Sequence, residues 1–205
     1  MRASRANRVR EPAQLDRPVP ASSGWGPLIQ RDYWAVLDGA RLRPSEVITL
    51  VRTHFLHLAP PDLVRFRHTH TAPLVPGNEL HVKIRFAGEW RVRVVHVTPT
   101  SITLATMPGH PEVGRITFGA YRNERGDVIV HIRSRARSSS LVRRAGFLVG
   151  GDPMQSGTWT AFIDHIAAAL GKRIIGAIQA ESRVVTEEPE DREIPAAPTF
   201  IARGD

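Results

Sequence analysis

The chain has 205 residues, with 28 Lys and Arg against 20 Asp and Glu, a formal charge of +8 and no cysteine. That length suits one domain with tails and a real core, and two full domains would be cramped. Without cysteine, disulfides, thiolate metal sites and cysteine nucleophiles are excluded, and a reducing compartment fits.

Residues 1–24 carry scattered Arg, Pro and Ser without periodicity, so they read as a flexible basic arm. They contain no apolar run of the signal-peptide kind, and no window of the chain reaches the ~20 apolar residues of a membrane helix, so the expectation is a cytoplasmic protein. A single domain is expected over 25–185. Beyond it, 186–205 reads as a tail, acidic at Glu187, Glu188, Glu190 and Asp191 and broken by Pro189, Pro195 and Pro198. The opposite signs of the two ends allow them to meet or to mask a surface, although solvated tails are the simpler expectation.

Inside the domain, Asp32 to Leu42 reads as a first strand and turn, with Tyr33, Trp34, Val36 and Leu37 before Asp38-Gly39. Pro44-Ser45-Glu46 then opens a helix whose apolar face is Val47, Ile48, Val51, Phe55 and Leu58, stopping at Pro60-Pro61. Asp62 to Phe66 reads as a further short helical piece. From Pro76 the period becomes two. Val82, Ile84 and Phe86 alternate with His81, Lys83 and Arg85, and Trp90, Val92 and Val94 with Arg91 and Arg93. Ile102 and Leu104, then Ile116, Phe118 and Ala120, then Val128, Val130 and Ile132 continue an antiparallel meander. A last helix is expected from Pro153 to Glu181, because Trp159, Phe162, Ile163, Ile166, Leu170, Ile174 and Ile178 recur at threes and fours. Gly171 and Gly176 would weaken it by ~1 kcal/mol each, and a break near Gly171 fits the pattern.

The predicted fold is therefore α+β, an antiparallel β-meander curved around a long C-terminal helix, preceded by a strand and a helix. This is the element order of a helix-grip, START-like domain. Such a sheet leaves room for a cavity, and cavities with apolar walls bind small molecules.

The segment Thr106-Met107-Pro108-Gly109-His110-Pro111-Glu112-Val113-Gly114, followed by Phe118, resembles the DUF1990 family of uncharacterised proteins, which carries a Gly-Thr-Leu-Pro-Gly-His-Pro-Glu-x-Gly block before a strand. The likeness runs from Pro76 to Leu170, with Ala105 in place of the block's first glycine and Arg115-Ile116-Thr117 in place of acidic residues. It implies a helix-grip-like α+β fold and supplies no catalytic residues.

The side chains expected to wall a pocket for a small hydrophobic or amphipathic ligand are Trp90, Val92, Phe118, Trp159, Phe162 and Ile166, with His110 and Glu112 meeting a polar group at the rim. The plainer reading of the apolar six is core packing. His110 and Glu112 also form the one candidate acid and base pair, since imidazole titrates near neutrality, while the plainer reading makes them turn residues. The alternative function is nucleic-acid or phosphate binding on a basic sheet face of Lys83, Arg85, Arg91, Arg93, Arg133, Arg135 and Arg137. Aromatic platforms for bases are missing from that stripe, and a solvated basic face is the bland reading. Only Lys83 and Lys172 among the 28 basic residues are lysines, which looks like a coding bias toward arginine as much as a binding surface. His68 with His70, and His54 with His57, have pairwise metal-ligand spacing but no third ligand. Ser138-Ser139-Ser140 lacks an identifiable base, no Walker, Rossmann or nucleophile-elbow pattern occurs, and no cofactor can be named.

Overall fold

The described residues form eight strands: β1 (Trp25–Leu37), β2 (Val64–Arg67), β3 (Glu79–Ile84), β4 (Gly88–Thr98), β5 (Ser101–Thr106), β6 (Glu112–Arg122), β7 (Val128–Ser138) and β8 (Ile174–Val185). In this computed structural model they form one antiparallel sheet in the order β2-β3-β4-β5-β6-β7-β1-β8. The structure describes residues 16–38, 41–68, 72–84, 88–140 and 156–192. Arg85, Phe86, His70, Pro153, Pro195, Pro198 and the first 15 residues of the expected arm lie outside them.

Two helices cover one face of the sheet. Helix α1 (Pro44–Leu58) starts on Pro44, whose missing N–H is no loss in a first turn, and the Glu46 carboxylate accepts the Arg43 N–H at 2.7 Å. Helix α2 spans 156–169 and buries Phe162, Ile163, Ile166 and Ala167. It docks on α1 through His165, whose Nδ1 lies 2.8 Å from the Leu58 carbonyl.

Two expected helical stretches are strands instead. Asp62 to Phe66 becomes mostly β2, because Pro60-Pro61 stops α1 and Val64 and Phe66 then turn inward in alternation. The C-terminal helix ends well short of Glu181. Gly171 takes φ +62°, and Lys172 donates its N–H to the Ala167 carbonyl at 2.9 Å, a left-handed helix stop. The chain then returns as β8 along β1, pairing Ile174 with Leu37 and Val185 with Leu28.

The register sorts the two faces. Tyr33, Ala35 and Leu37 of β1 stand beside Ile132, Val130 and Val128 of β7 on the inner face, and Phe118 stands opposite Ile132. The outer face carries the arginines, and it is not the solvated positive surface expected. Arg115 and Arg135 are direct cross-strand neighbours there. Both reach Asp191, whose side chain is 0 % exposed, with Arg135 Nη2 to Oδ2 at 2.7 Å and Arg115 Nη2 to Oδ1 at 3.4 Å. Arg135 also donates to Gln30 Oε1 at 2.9 Å and to the Thr186 carbonyl at 3.0 Å. Arg137 meets Glu187 at 2.8 Å, Arg91 meets Glu79 at 3.0 Å, and Arg93 bridges Glu79 and Asp16. Lys83 alone among the described members of the stripe is exposed and outside any ion pair.

The ends that were expected to be tails supply part of this charge. Residues 186–192, with the short helix α3 (Pro189–Arg192), lie on the outer face through those acids. Residues 16–24 join them: the Val19 N–H donates to the Thr106 carbonyl at 2.8 Å, Ala21 is buried, and the Ser22 hydroxyl donates to the Arg192 carbonyl at 3.2 Å. Two neighbouring guanidiniums repel each other, and a shared buried carboxylate removes that cost.

Asp32 makes a second outer-face centre. His131 Nε2 lies 2.7 Å from its Oδ1, Gln30 donates to its Oδ2 at 2.7 Å, and Arg133 donates to Oδ1. Tyr121 adds its hydroxyl 3.2 Å from His131 Nδ1. Burial pushes the Asp32 carboxyl up, but the hydrogen bonds from His131, Arg133 and Gln30 outweigh it and hold the group at about 2, below the ordinary 3.8.

Two outcomes follow for stability. Asp191→Asn leaves two facing buried cations without their anion, and urea unfolding at pH 7 is expected to lose about 3–5 kcal/mol, whereas a loss under about 1 kcal/mol would mean the tail contacts hold nothing. Because the folded value of Asp32 is depressed, its contribution is fully present above the unfolded value and disappears as pH falls through the folded one. Wild type should therefore exceed Asp32→Asn by about 2 kcal/mol at pH 6, with the gap closing toward pH 2, as read from paired denaturant titrations.

Candidate functional site

The inner face of β1 carries a charged residue where the alternation calls for an apolar one. Counting back from Leu37, Ala35 and Tyr33 in steps of two reaches Arg31, which stands opposite Ser134 of β7 and is 1 % exposed. A guanidinium cannot shed its proton, so a buried one needs an anion. Glu112 supplies it, with Oε1 3.2 Å from Arg31 Nη1 and its side chain 15 % exposed.

The loop between β5 and β6 is shaped to deliver that carboxylate. Thr106 anchors its start across to Gly114, the Thr106 Oγ1 accepting the Gly114 N–H at 3.0 Å and lying 3.3 Å from the Gly114 carbonyl. Gly109, at φ +94°, turns the chain. His110 folds back so that its Nδ1 lies 3.1 Å from the Glu112 backbone nitrogen and 2.9 Å from the Glu112 carbonyl oxygen. The imidazole thus grips the backbone of Glu112 while the carboxylate turns to Arg31. Gly114 lets β6 press against β7, since a Cβ there would sit 2.2 Å from the Arg135 carbonyl oxygen.

Beside this polar end lies a cavity of about 120 Å³ between the sheet and the helices. Phe55 of α1, Val64 and Phe66 of β2, Val82, Val92, Leu104, Ile116 and Phe118 of the meander, and Trp159 of α2 form its apolar walls. Thr106, His110, Glu112, Arg115, Ser134 and Thr158 supply polar groups. Pockets for drug-sized ligands run to roughly 300–1,000 Å³, while an apolar cavity of about 150 Å³ takes up benzene, so this space matches a single ring or a short chain.

Of the eight side chains expected at a pocket, Val92, Phe118, Trp159, His110 and Glu112 are among the lining residues. Trp90 is instead set 5.8 Å, centroid to centroid, from the His110 ring. Phe162 and Ile166 are wholly buried in the core behind the wall, because their turn of α2 points straight down onto the sheet and α1. The sequence reasoning missed Arg31, Ser134 and Thr158. Extending the inner-face alternation of β1 two residues upstream would have exposed Arg31, and the same alternation along β7 puts Ser134 inward between Ile132 and Ala136. No group of three or more His, Asp or Glu side chains suited to a metal occurs among the described residues, His68 being one of them. No helix among them is long and apolar enough to cross a membrane.

Comparison with known proteins agrees with the fold. No curated protein matches the chain. Among solved structures, a norcoclaurine synthase point mutant from Thalictrum flavum, in complex with a transition state analogue, is 10 % identical, with 71 % of this chain and 96 % of that chain covered and a TM-score of 0.51. A protein from Thermobifida fusca solved by NMR is 17 % identical over 69 % of this chain and 93 % of its own, with a TM-score of 0.47. Major latex-like protein 151 from Panax ginseng is 14 % identical over 70 % and 98 %, with a TM-score of 0.45. The architecture is helix-grip-like, as the element order predicted. The model of the family described as a domain of unknown function, DUF1990, matches residues 51–159, a span that includes the second half of α1, the Thr106–Gly114 block and the cavity-lining part of the meander, and the chain belongs to that family.

Proposed function

We propose that the chain binds a small hydrophobic or amphipathic molecule in the cavity between the sheet and its helices. One observation carries the reading: an apolar space meets at one end the Glu112 carboxylate, itself ion-paired to the buried Arg31, instead of further hydrocarbon. A core built only for stability gains little from such a pair, because desolvating two charges offsets most of their attraction. A pocket gains orientation from it, since a few placed polar groups fix how an apolar ligand lies. Val92, Phe118 and Trp159 are the walls in this reading, and His110 with Glu112 lies at the polar end. The fold admits it, for the norcoclaurine synthase structure carries a bound transition state analogue.

The rival on the basic face has less support. Arg91, Arg93, Arg133, Arg135 and Arg137 each hold a carboxylate of the same chain, so little free positive charge is left to release counterions from a phosphate backbone.

Native mass spectrometry of the gently purified chain is expected to show a stoichiometric small-molecule adduct that leaves on denaturation. Ala136 lines the cavity and is buried, so Ala136→Leu should fill part of the space and abolish the adduct in a folded protein. Addition of the released compound should perturb the fluorescence of Trp159 in the wild type only. A clean mass for the wild type, together with nucleic acid that copurifies at low salt and leaves at high salt, would overturn the cavity reading.

A further inference from the structure

Ser134 points to the chemistry of the ligand. Its hydroxyl oxygen is buried and makes no hydrogen bond, although the residue lines the cavity. Buried polar groups are nearly always paired, and one that is not needs an explanation. In the sheet Ser134 stands between Ile116 of β6 and Arg31 of β1, so its hydroxyl sits where the apolar wall gives way to the ion pair. We propose that this hydroxyl is the recognition group of the cavity, and that the ligand is a small neutral amphiphile, one ring or a short chain bearing an uncharged hydroxyl or carbonyl. The inference rests on the cavity being a binding site.

Charge at the polar end decides between neutral and ionic ligands. Arg31 and Glu112 already cancel at 3.2 Å, and the charge of Arg115, which also lines the cavity, is met by Asp191 at 3.4 Å. A ligand carboxylate would bring a second anion beside Glu112, and a ligand ammonium a second cation beside Arg31, each in a low-dielectric space where like charges repel strongly. A hydroxyl or carbonyl adds no charge and supplies the partner that Ser134 lacks. A cavity of about 120 Å³ restricts the body of the molecule to the size of a single ring.

Three probes with one body separate these possibilities: toluene, p-cresol and p-toluate, titrated against the full-length chain at pH 7 and followed by NMR shifts of the wall residues. Toluene and p-cresol are expected to bind and p-toluate to bind weakest. The ratio of p-cresol to toluene affinity is the informative quantity, because it is taken within one protein and is not moved by general damage. It should fall about tenfold in Ser134→Ala, the worth of one hydrogen bond to a buried hydroxyl. An unchanged ratio in Ser134→Ala, or tightest binding by p-toluate, overturns the inference and leaves the cavity reading standing. Failure of all three probes, toluene included, overturns the cavity reading with it.

Discussion

Phe55 is the point at which the layers of the molecule meet. Its ring lies 5.1 Å from Phe66 on β2, 5.2 Å from Phe118 on β6 and 5.2 Å from Phe162 on α2, so one side chain of α1 touches both helices' common floor and its edge strand. Trp159 extends the cluster to 5.5 Å from Phe118. Tilted and edge-on ring pairs add about 0.5–1.5 kcal/mol each beyond their buried area, and they prefer fixed separations. The cluster therefore holds α1 and α2 at a set height above the sheet. Phe55, Phe66, Phe118 and Trp159 also line the cavity. The wall of the candidate site is thus one side of the packing that holds the fold, which gives the space a fixed shape.

The other end of the cavity is governed by a different constraint. A guanidinium on the inner face is tolerable only with a carboxylate in reach, and the strand that carries Arg31 has none on that face. The block from Thr106 to Gly114 meets the need, with a threonine clasp at its start, a glycine turn, a histidine that locks the backbone, and the glutamate that reaches across. The family block is legible in these terms as a device for presenting one carboxylate. No residue in it has to act on a substrate for its spacing to matter.

Much of this was readable from the sequence, and the parts that were not share a cause. Period two along the meander put Val82, Val92, Leu104, Phe118, Val130 and Ile132 on the inner face that they occupy, because neighbouring strands share a single pattern. The C-terminal reading went wrong after Gly171. Ile174 and Ile178 are four apart, which is one helical turn and also two strand repeats, so spacing alone does not separate the states. Gly171 held the answer, since at φ +62° it stops a helix. The arginine stripe was placed on the right face with the wrong surroundings. Arg135 finds its anion 56 residues further on, at Asp191, and no local pattern reports a contact of that range. Arg31 escaped because the first strand was read from Asp32, whereas β1 begins at Trp25.

Those two faces of β7 are not independent. Arg133, Arg135 and Arg137 point outward to Asp32, Asp191 and Glu187, while Ser134 and Ala136 point inward to the cavity. A slip of one residue would exchange the sets, driving three guanidiniums into the apolar space and stranding three carboxylates outside. Each outer ion pair therefore raises the cost of the wrong register, and the acids that fold back from the C-terminal segment secure the strand from the side opposite the cavity. The outer network contributes to the candidate site in this indirect way: it binds nothing there itself, yet it fixes which β7 side chain meets whatever enters from the inner side.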